Sequence, residues 1–526
     1  MQRRTQRPTQ RQTTKRGVLA IVAWLACAAA LAESQLADLL QDGRRDAALE
    51  LIEQGADVSA SQGDGTTPLH WAAYRLDAEL ARLLLDRGAN ADVKNRYGAS
   101  PLAEAVKAAN SELVEMLLDA GAEVDSPNMD GQTTLMIAAR TGSVEVAKLL
   151  LARGADVHAR ELWREQTALM WAAGGAFPEL TRLLLDHGAD PTARAAANDW
   201  GAQITSEPRA QYRPTGGLTP LLYAARAGCA QCVRDIVAAG EEADRPTPDG
   251  VTALMLAIDN YELDTAMALL DLGANPHYAD WWGRTALYLA VDVNSYVPRE
   301  PAHPRSKAAT GLDLARRLLA AGVEVDAQLN MHRPGRGGNS ARFTDYLLTT
   351  GATPLLRAAI THDYEAMRAL LEAGAEVDLP NVMGVTPLMA AAGVGVRNIN
   401  FGANRSPDFE ADPEIEDKVI ASLEILIAAG ADIDARVTDT QSRTARIARP
   451  TAITDRDGQT ALYSAAGRGW ARVVSYLIEQ GASVDIVDAR GRSPLDEALS
   501  LVGGQPIPGS ENVAELLRNA SAAPAR

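Results

Sequence analysis

The feature that most constrains this chain is a segment of about 33 residues that recurs along most of its length. Each copy opens with a threonine or serine, a leucine and small residues, as in TTPLHWAA at 66–73, QTALMWAA at 166–173 and QTALYSAA at 459–466. A fixed period of this length predicts a solenoid, in which each unit stacks on its neighbours. The copies close on glycines, which are Gly55, Gly88, Gly121, Gly154, Gly188, Gly240, Gly273, Gly322, Gly374, Gly430 and Gly481.

One copy, residues 66–98, shows why the units must fold together. Thr67 is suited to cap a helix, and Pro68 stands at a first helical position, where a missing N–H costs nothing. Leucine and alanine follow at helical spacing, and a second leucine-rich helix ends at Gly88. Helices of two turns are not stable alone in water, so each must bury its apolar stripe against neighbouring units.

This helix start and period resemble the ankyrin repeat family, whose units open on T-P-L-H-x-A. About eleven copies agree in both motifs between Ser34 and Ala520. The TPLH motif is complete only at residues 67–70, and Leu, Met, Tyr, Ala or Asp replaces the histidine elsewhere. The resemblance implies an all-α solenoid of helix-turn-helix units with β-hairpin fingers and loop insertions.

Five insertions interrupt the array, and their Pro, Gly, Asn, Ser and Arg content predicts loops. Three occupy the finger position, at about 192–216, 327–350 and 435–457, and two separate paired helices, at about 292–311 and 393–418. The predicted organisation is a signal peptide at 1–32, an N-terminal capping half-repeat at 33–64, repeats at 65–191, the insertion 192–216, repeats at 217–291, insertion-bearing repeats at 292–350 and 393–457, repeats at 351–392 and 458–490, and a C-terminal cap at 491–526.

The insertions differ from the rest of the chain in charge. The three finger insertions carry net charges of about +1, +2 and +2, whereas residues 393–418 carry about −3. Basic loops on an acidic protein have two interpretations: they engage an acidic partner, or they fold back onto the protein's own acidic helices as latches.

The N-terminus predicts export. Residues 1–17 hold six basic and no acidic side chains, an apolar run follows, and Ala30-Leu31-Ala32 ends it. This pattern is typical of a cleaved secretory signal peptide. An uncleaved anchor or a lipoprotein modified at Cys27 are the alternatives. The expected location is the periplasm, with secretion or membrane anchoring as alternatives.

Charge excludes some classes of partner. Removal of residues 1–32 changes the net charge from −17 to about −23. A surface this acidic repels nucleic acid and anionic lipid, so neither is an expected partner. No other segment is long and apolar enough to insert into a membrane once the signal is cleaved.

Two adjacent tryptophans, Trp281 and Trp282, precede the finger glycine Gly283. The repeat alignment places both at a finger tip, where the ankyrin resemblance implies that side chains project into solvent. An exposed apolar row there would mark an interaction site, and the alternative is packing on adjacent fingers or insertions. Trp71 and Trp171 are expected to line the inner helices. The predicted partner-binding row is Tyr97, Met129, Trp163, Trp281, Trp282 and Met383.

Cys229 and Cys232 form the motif CAQC at the start of a second helix. Export would place them in an oxidising compartment, so they are a candidate disulfide. Helical neighbours three residues apart need a local adjustment to reach disulfide geometry. The motif shares only its spacing with thioredoxin-like redox sites, because the βαβ context is missing.

The remaining residue types indicate structure rather than chemistry. His70 is predicted to be a structural hydrogen-bonding group, and no pair of histidines has a metal-ligand spacing. The histidines are His70, His158, His187, His277, His303, His332 and His362. Acidic residues recur in register after each turn, which indicates a turn preference. These are Asp57, Asp125, Asp156, Asp326, Asp378 and Asp434.

The sequence therefore predicts a non-enzymatic scaffold, exported from the cytoplasm, that binds a protein partner through finger tips, inner helices and loop insertions. No cofactor, metal or catalytic constellation is predicted. The array resembles exported bacterial ankyrin-repeat proteins, whose partners are diverse. One alternative is a redox or oxidative-stress accessory that uses Cys229 and Cys232, and another is a secreted effector with the same binding chemistry.

Overall fold

The computed structural model describes residues 35–198, 215–295, 308–330, 347–394, 413–438, 456–502 and 505–522. The predicted signal peptide, Cys27, His303, His332 and most of each insertion lie outside these residues. The chain divides into two compact units, one ending at Ala196 and one beginning at Ala197.

In its described part, the first unit is a stack of helix pairs. From the second pair onward, first helices pack on first helices (α3, α5, α7, α9) and second helices on second helices (α4, α6, α8, α10). The helices are α1 Gln35–Gln41, α2 Arg45–Glu53, α3 Pro68–Tyr74, α4 Ala78–Asp86, α5 Pro101–Lys107, α6 Ser111–Asp119, α7 Thr134–Thr141, α8 Val144–Ala152, α9 Ala168–Gly174 and α10 Pro178–Asp186.

The second unit repeats this two-layer arrangement. Its elements are β1 Ala197–Asn198, β2 Thr215–Gly216, α11 Pro220–Arg226, α12 Ala230–Ala238, α13 Ala253–Asp259, α14 Leu263–Asp271, α15 Ala286–Ser295, α16 Gly311–Ala320, α17 Pro354–Ile360, α18 Tyr364–Glu372, α19 Pro387–Ala391, α20 Pro413–Ala428, α21 Ala461–Ala466, α22 Ala471–Glu479, α23 Pro494–Ala498, β3 Leu501–Val502, β4 Gln505–Pro506 and α24 Ser510–Ala522.

The expected all-α solenoid is confirmed, and the strands of the described residues form two short antiparallel pairs. The antiparallel pair β1–β2 aligns Ala197 with Gly216, and β3–β4 aligns Leu501 with Pro506. One expectation was wrong in part: residues 413–418 of the insertion 393–418 are helical. Helix α20 begins at Pro413 and is 16 residues long, so the end of that insertion extends the second helix of its repeat.

Local capping explains where the first helices begin. Thr219 stands in extended backbone before α11, and its side chain accepts a hydrogen bond from the Leu222 N–H. Thr67 instead shares its cap with His70, whose Nδ1 lies 2.8 Å from Thr67 Oγ1 and whose Nε2 lies 2.9 Å from the Ala99 carbonyl oxygen. These contacts agree with the structural role expected of His70, which joins its helix start to the next finger.

The recurring aspartates do more than form turns. The Asp57 and Asp156 carboxylates accept N–H groups two residues ahead, as a turn preference implies. Other aspartates reach the next repeat: Asp125 accepts from the Asp156 N–H at 3.0 Å, and Asp434 accepts from the Ser483 N–H at 2.9 Å. Asp326 and Asp378 make the same kind of contact. The repeating carboxylate therefore ties successive units together.

His362 predicts a pH-dependent stability of the second unit. It lies in the loop after α17, and its Nδ1 is 2.9 Å from Ser422 Oγ of α20. Burial, with a smaller effect of Lys418, lowers the pKa of His362 from 6.5 to about 4. Between these values the unfolded chain binds the proton more readily than the folded chain. The free energy of unfolding should therefore fall by about 2 kcal/mol between pH 7 and pH 5.

The control is His362→Asn, because asparagine tolerates the positive φ of 55° at this position and does not titrate. Urea unfolding at pH 7 and at pH 5 should show a smaller loss for this variant than for the unmodified chain. An equal loss in both proteins would contradict the assignment to His362.

Candidate functional site

The finger tips are tight turns held by an amide or carboxylate side chain. Asn95 Oδ1 accepts hydrogen bonds from the Tyr97 and Ala99 N–H groups, both at 3.0 Å. The Asn95 N–H in turn donates to the Ala99 carbonyl at 3.0 Å. Asn128 and Asn381 fix their own fingers in the same way. The short side chain thus determines where each tip residue points.

Backbone contacts join one finger to the next. The Arg96 N–H donates to the Asp64 carbonyl, and the Leu162 N–H donates to the Asp130 carbonyl, both at 2.8 Å. Gly98 has a φ of 72°, and a Cβ on it would lie 2.7 Å from the Met129 nitrogen. A glycine is needed there because the next finger packs directly against it. The tips of the first unit therefore pack against one another as a row.

Four large apolar side chains project from three successive fingers of this row. Their exposed fractions are 70% for Tyr97, 69% for Met129, 73% for Leu162 and 76% for Trp163. Trp163 Nε1 donates to Asp130 Oδ1 at 2.9 Å, so the ring is tied to the preceding finger. We call these four residues the tip row.

Leu162 was not among the predicted site residues. Its finger is one residue longer than the fingers of Tyr97 and Met129, and the Glu161 carboxylate accepts from the Trp163, Arg164 and Gln166 N–H groups. This longer turn directs both Leu162 and Trp163 outward. The extra residue in this repeat is the sequence feature from which the exposure of Leu162 could have been predicted.

The first-helix face of the same unit carries the two expected tryptophans, and both are half-buried. Trp71 Nε1 donates to Gln62 Oε1 at 2.9 Å, and the Trp71 ring meets the exposed Tyr74 ring edge-on at 5.7 Å. The Arg140 guanidinium lies 5.6 Å from the centre of the Trp171 ring. The first-helix face of this unit thus presents aromatic rings and cations to solvent.

The predicted pair in the second unit separates into one exposed and one buried tryptophan. Trp281 is 43% exposed, and its N–H donates to the Asp249 carbonyl at 3.0 Å. The expectation that Trp282 projects into solvent was wrong, because it is only 4% exposed. The Arg284 guanidinium lies 5.0 Å from the centre of the Trp282 ring. The backbone carbonyl of Trp282 accepts a hydrogen bond from the Asn330 N–H at 2.8 Å. The start of the insertion 327–350 therefore packs against this tip.

Met383 was also predicted to be exposed and is also buried, at 2%. It belongs to an apolar cluster that includes Leu329 and Leu347 from the insertion 327–350 and Val437 from the insertion 435–457. The described ends of both finger insertions therefore fold onto the finger beside them. These contacts are apolar and are made with fingers, so they do not test whether the basic residues engage an acidic partner or the protein's own acidic helices. Most of the basic residues of these two insertions lie outside the described ranges.

A buried ion pair lies on the first-helix face of the second unit. Arg357 Nε is 2.6 Å from Asp292 Oδ1, and both side chains are almost fully buried. Asp292 occupies the helix position that Tyr74, Lys107 and Arg140 hold in the first unit, where all three are exposed. The face that is open in the first unit is thus closed around α15 and α17.

A second buried cation lies nearby. Arg284 contacts Asp280 at 2.6 Å and Asp259 at 3.4 Å. Burial alone would lower its pKa, but these two carboxylates more than offset it and raise the pKa of Arg284. The guanidinium therefore remains charged beneath the covered tip.

Cys229 and Cys232 are joined by a disulfide, with their Cα atoms 5.2 Å apart. Among the described residues, no group of three or more His, Cys, Asp or Glu side chains is placed to hold a metal ion. Over the same ranges, no helix combines the length and the apolar content needed to cross a membrane.

Comparison with known proteins identifies what the chain resembles. A family model for ankyrin repeats in three copies matches residues 36–128, 121–195, 195–280, 221–297 and 420–524, and a single ankyrin-repeat model matches 350–382. Protein PhlB of Serratia liquefaciens is 43% identical over 147 residues, which are 28% of this chain and 50% of that protein. The chain thus spans half the length of this relative.

Proposed function

This chain belongs to the ankyrin-repeat family, whose repeats act as protein-interaction scaffolds, and we propose that it binds a protein partner through the finger tips of its first unit. The observation that carries the proposal is the tip row, in which four large apolar side chains are each about 70% exposed or more. Tyrosine and tryptophan are enriched at binding hot spots, and methionine adapts to a partner's shape. Isolated exposed apolar residues are ordinary, but a contiguous row is not.

Preorganisation supports this choice. Side-chain caps fix each tip, and backbone hydrogen bonds join the tip of Leu162 to the finger before it. A surface that is already ordered loses little conformational entropy on binding. The aromatic first-helix face with Trp71, Tyr74 and Trp171 offers additional contact area in the same unit.

The second unit offers less surface for the same purpose. Trp282 and Met383 are buried, and the Asp292–Arg357 pair closes part of the first-helix face. Trp281 keeps nearly half of its side chain exposed and stays in the proposed partner-binding set. We propose that Trp282 and Met383, the other two predicted tip residues of this unit, are packing residues.

The chemistry of the surface favours a protein over other partners. The chain carries 68 acidic and 51 basic side chains, and a surface of that balance repels phosphate backbones. Ankyrin repeats are typically non-enzymatic, and binding is the whole of the proposed activity. Export from the cytoplasm, with the periplasm as the expected location, is part of the proposal and rests on the sequence of residues 1–32. A secreted effector would use the same surface in another place.

The test replaces Met129 and Trp163 with serine in one variant. Exposed tips contribute little to the core, so the free energy of unfolding should change by less than about 1 kcal/mol. Protein captured from the exported fraction by the unmodified chain should be lost, and the purified partner should bind at least about 10-fold more weakly. Binding would be measured by calorimetry with the partner identified from the capture.

The matched control is Leu76→Asn, which removes an exposed apolar residue from the loop between α3 and α4 of the same unit. Asparagine tolerates the positive φ of 59° at this position. The proposal is rejected if the tip variant and the control bind the partner equally well. A double Trp281, Trp282 variant is a poorer test, because loss of the buried Trp282 would disturb packing.

A further inference from the structure

The disulfide of the second unit occupies a helix cap. Cys229 is the N-cap residue of α12, and its Sγ accepts the Cys232 N–H at 3.2 Å. Asp77, Asn110 and Asp363 perform this task with an oxygen atom in other repeats. The chain has thus placed a sulfur where a helix N-terminus favours negative charge.

Its position argues against a role in holding the array together. Both cysteines lie within the first turn of one helix, three residues apart, so the bond joins no two repeats or elements. The first-helix packing and the carboxylate contacts between repeats perform that task instead. Both cysteines are buried as residues, Cys232 completely (0% exposed) and Cys229 slightly less so (7% exposed).

We propose that Cys229 and Cys232 form a thiol–disulfide exchange site that reacts with a dithiol reductant, with Cys229 as the sulfur attacked. A thiolate of the dithiol attacks Cys229 Sγ, the bond to Cys232 Sγ breaks, and its electron pair leaves on Cys232, which takes up a proton. The second thiolate of the reductant then attacks the reductant's first sulfur, which is bonded to Cys229 in the mixed disulfide. The reductant departs as a disulfide, and Cys229 is released as a thiolate.

The geometry favours this order of events. Cys229, which is at the end of the helix and is the less completely buried residue, is attacked first, and the sulfur of Cys232 is the leaving group. After release, the Cys229 thiolate keeps the Cys232 N–H and the helix N-terminus as stabilising contacts. Reduction therefore preserves the cap of α12, and the repeat stays folded in both redox states. This proposal does not depend on the tip row.

The experiment uses the full chain with Cys27→Ser, so that only this pair remains. Two further variants allow the reactivity of each sulfur to be measured alone. Cys232→Ser leaves only Cys229, and Cys229→Ser leaves only Cys232 and places a serine, which also caps helices, at the N-cap. Each is treated with dithionitrobenzoate at pH 6 without denaturant. Cys229 should react on the order of 100-fold faster than Cys232, because a lowered thiol pKa increases the thiolate fraction at that pH.

The native disulfide provides a readout that does not depend on the folding of either variant. Dithiothreitol should reduce it under native conditions with no change in the circular dichroism spectrum. Equal, slow reaction of both single cysteines, or reduction only after unfolding by urea, would overturn the proposal and leave a structural disulfide.

Discussion

Replacing Arg357 with methionine is expected to lower the free energy of unfolding of the second unit by about 3 kcal/mol or more. The substitution leaves the Asp292 carboxylate buried without the guanidinium that lies 2.6 Å away in the intact protein. Removing one partner of a buried ion pair is costly, since the remaining charge stays out of water and has lost its hydrogen-bonded counter-ion. Urea unfolding, followed by circular dichroism, measures the change.

Two controls separate this effect from simple truncation. Arg82→Met breaks the exposed pair with Glu112 in the first unit and should cost less than about 1 kcal/mol. The double variant Asp292→Leu, Arg357→Met removes both buried charges and should regain most of the loss. A cost for Arg357→Met as small as that for Arg82→Met would show that solvent reaches the pair.

The second large effect is expected from Gly283→Ala, at about 3 kcal/mol in total, from a backbone and a steric contribution. A Cβ on Gly283 would lie 2.7 Å from the Asn330 nitrogen and 2.8 Å from the Gln328 oxygen, and both are backbone atoms. The residue also has a φ of 78°, which costs an alanine about 1–2 kcal/mol without any steric contact. Steric overlap with the packed segment adds a cost of similar size.

Gly273→Ala is the matched control, because Gly273 has a similar φ of 86° and a Cβ on it would meet no atom within 4 Å. It should cost about 1–2 kcal/mol, the backbone contribution alone. Thermal or urea unfolding of the two variants should therefore differ by about 1–2 kcal/mol, the steric contribution. Equal stabilities of the two variants would show that residues 328–330 can move away from residue 283 at little cost and do not stabilise the Trp282 tip.

The first prediction concerns the closed first-helix face of the second unit and the second concerns its covered Trp282 tip, and both differ from the first unit in a way that has a functional consequence. The repeat position that holds the exposed Tyr74, Lys107 and Arg140 in the first unit is occupied by the buried Asp292 in α15. Variants that open this face should cost stability, whereas variants of the tip row should cost binding. The two classes of substitution thus separate packing residues from recognition residues on the same repeat pattern.

The sequence by itself determined the repeat, the helix starts and the helix ends, because these depend on neighbours within one turn. Thr67 before Pro68 marks the start of α3, and Gly88 follows α4, where a positive φ of 91° ends the helix. A separation of three residues also brings the two cysteines near each other, but only the structure shows that they are bonded, with Cys229 at the N-cap of α12.

Only the tertiary structure decided which finger tips are exposed. Tyr97, Trp282 and Met383 occupy the same position in the repeat, yet only Tyr97 is exposed. The difference arises from residues far along the chain: Asn330 binds the Trp282 carbonyl, and Val437 joins the cluster around Met383. A local pattern specifies the direction of a side chain, but its burial depends on what another part of the chain places over it.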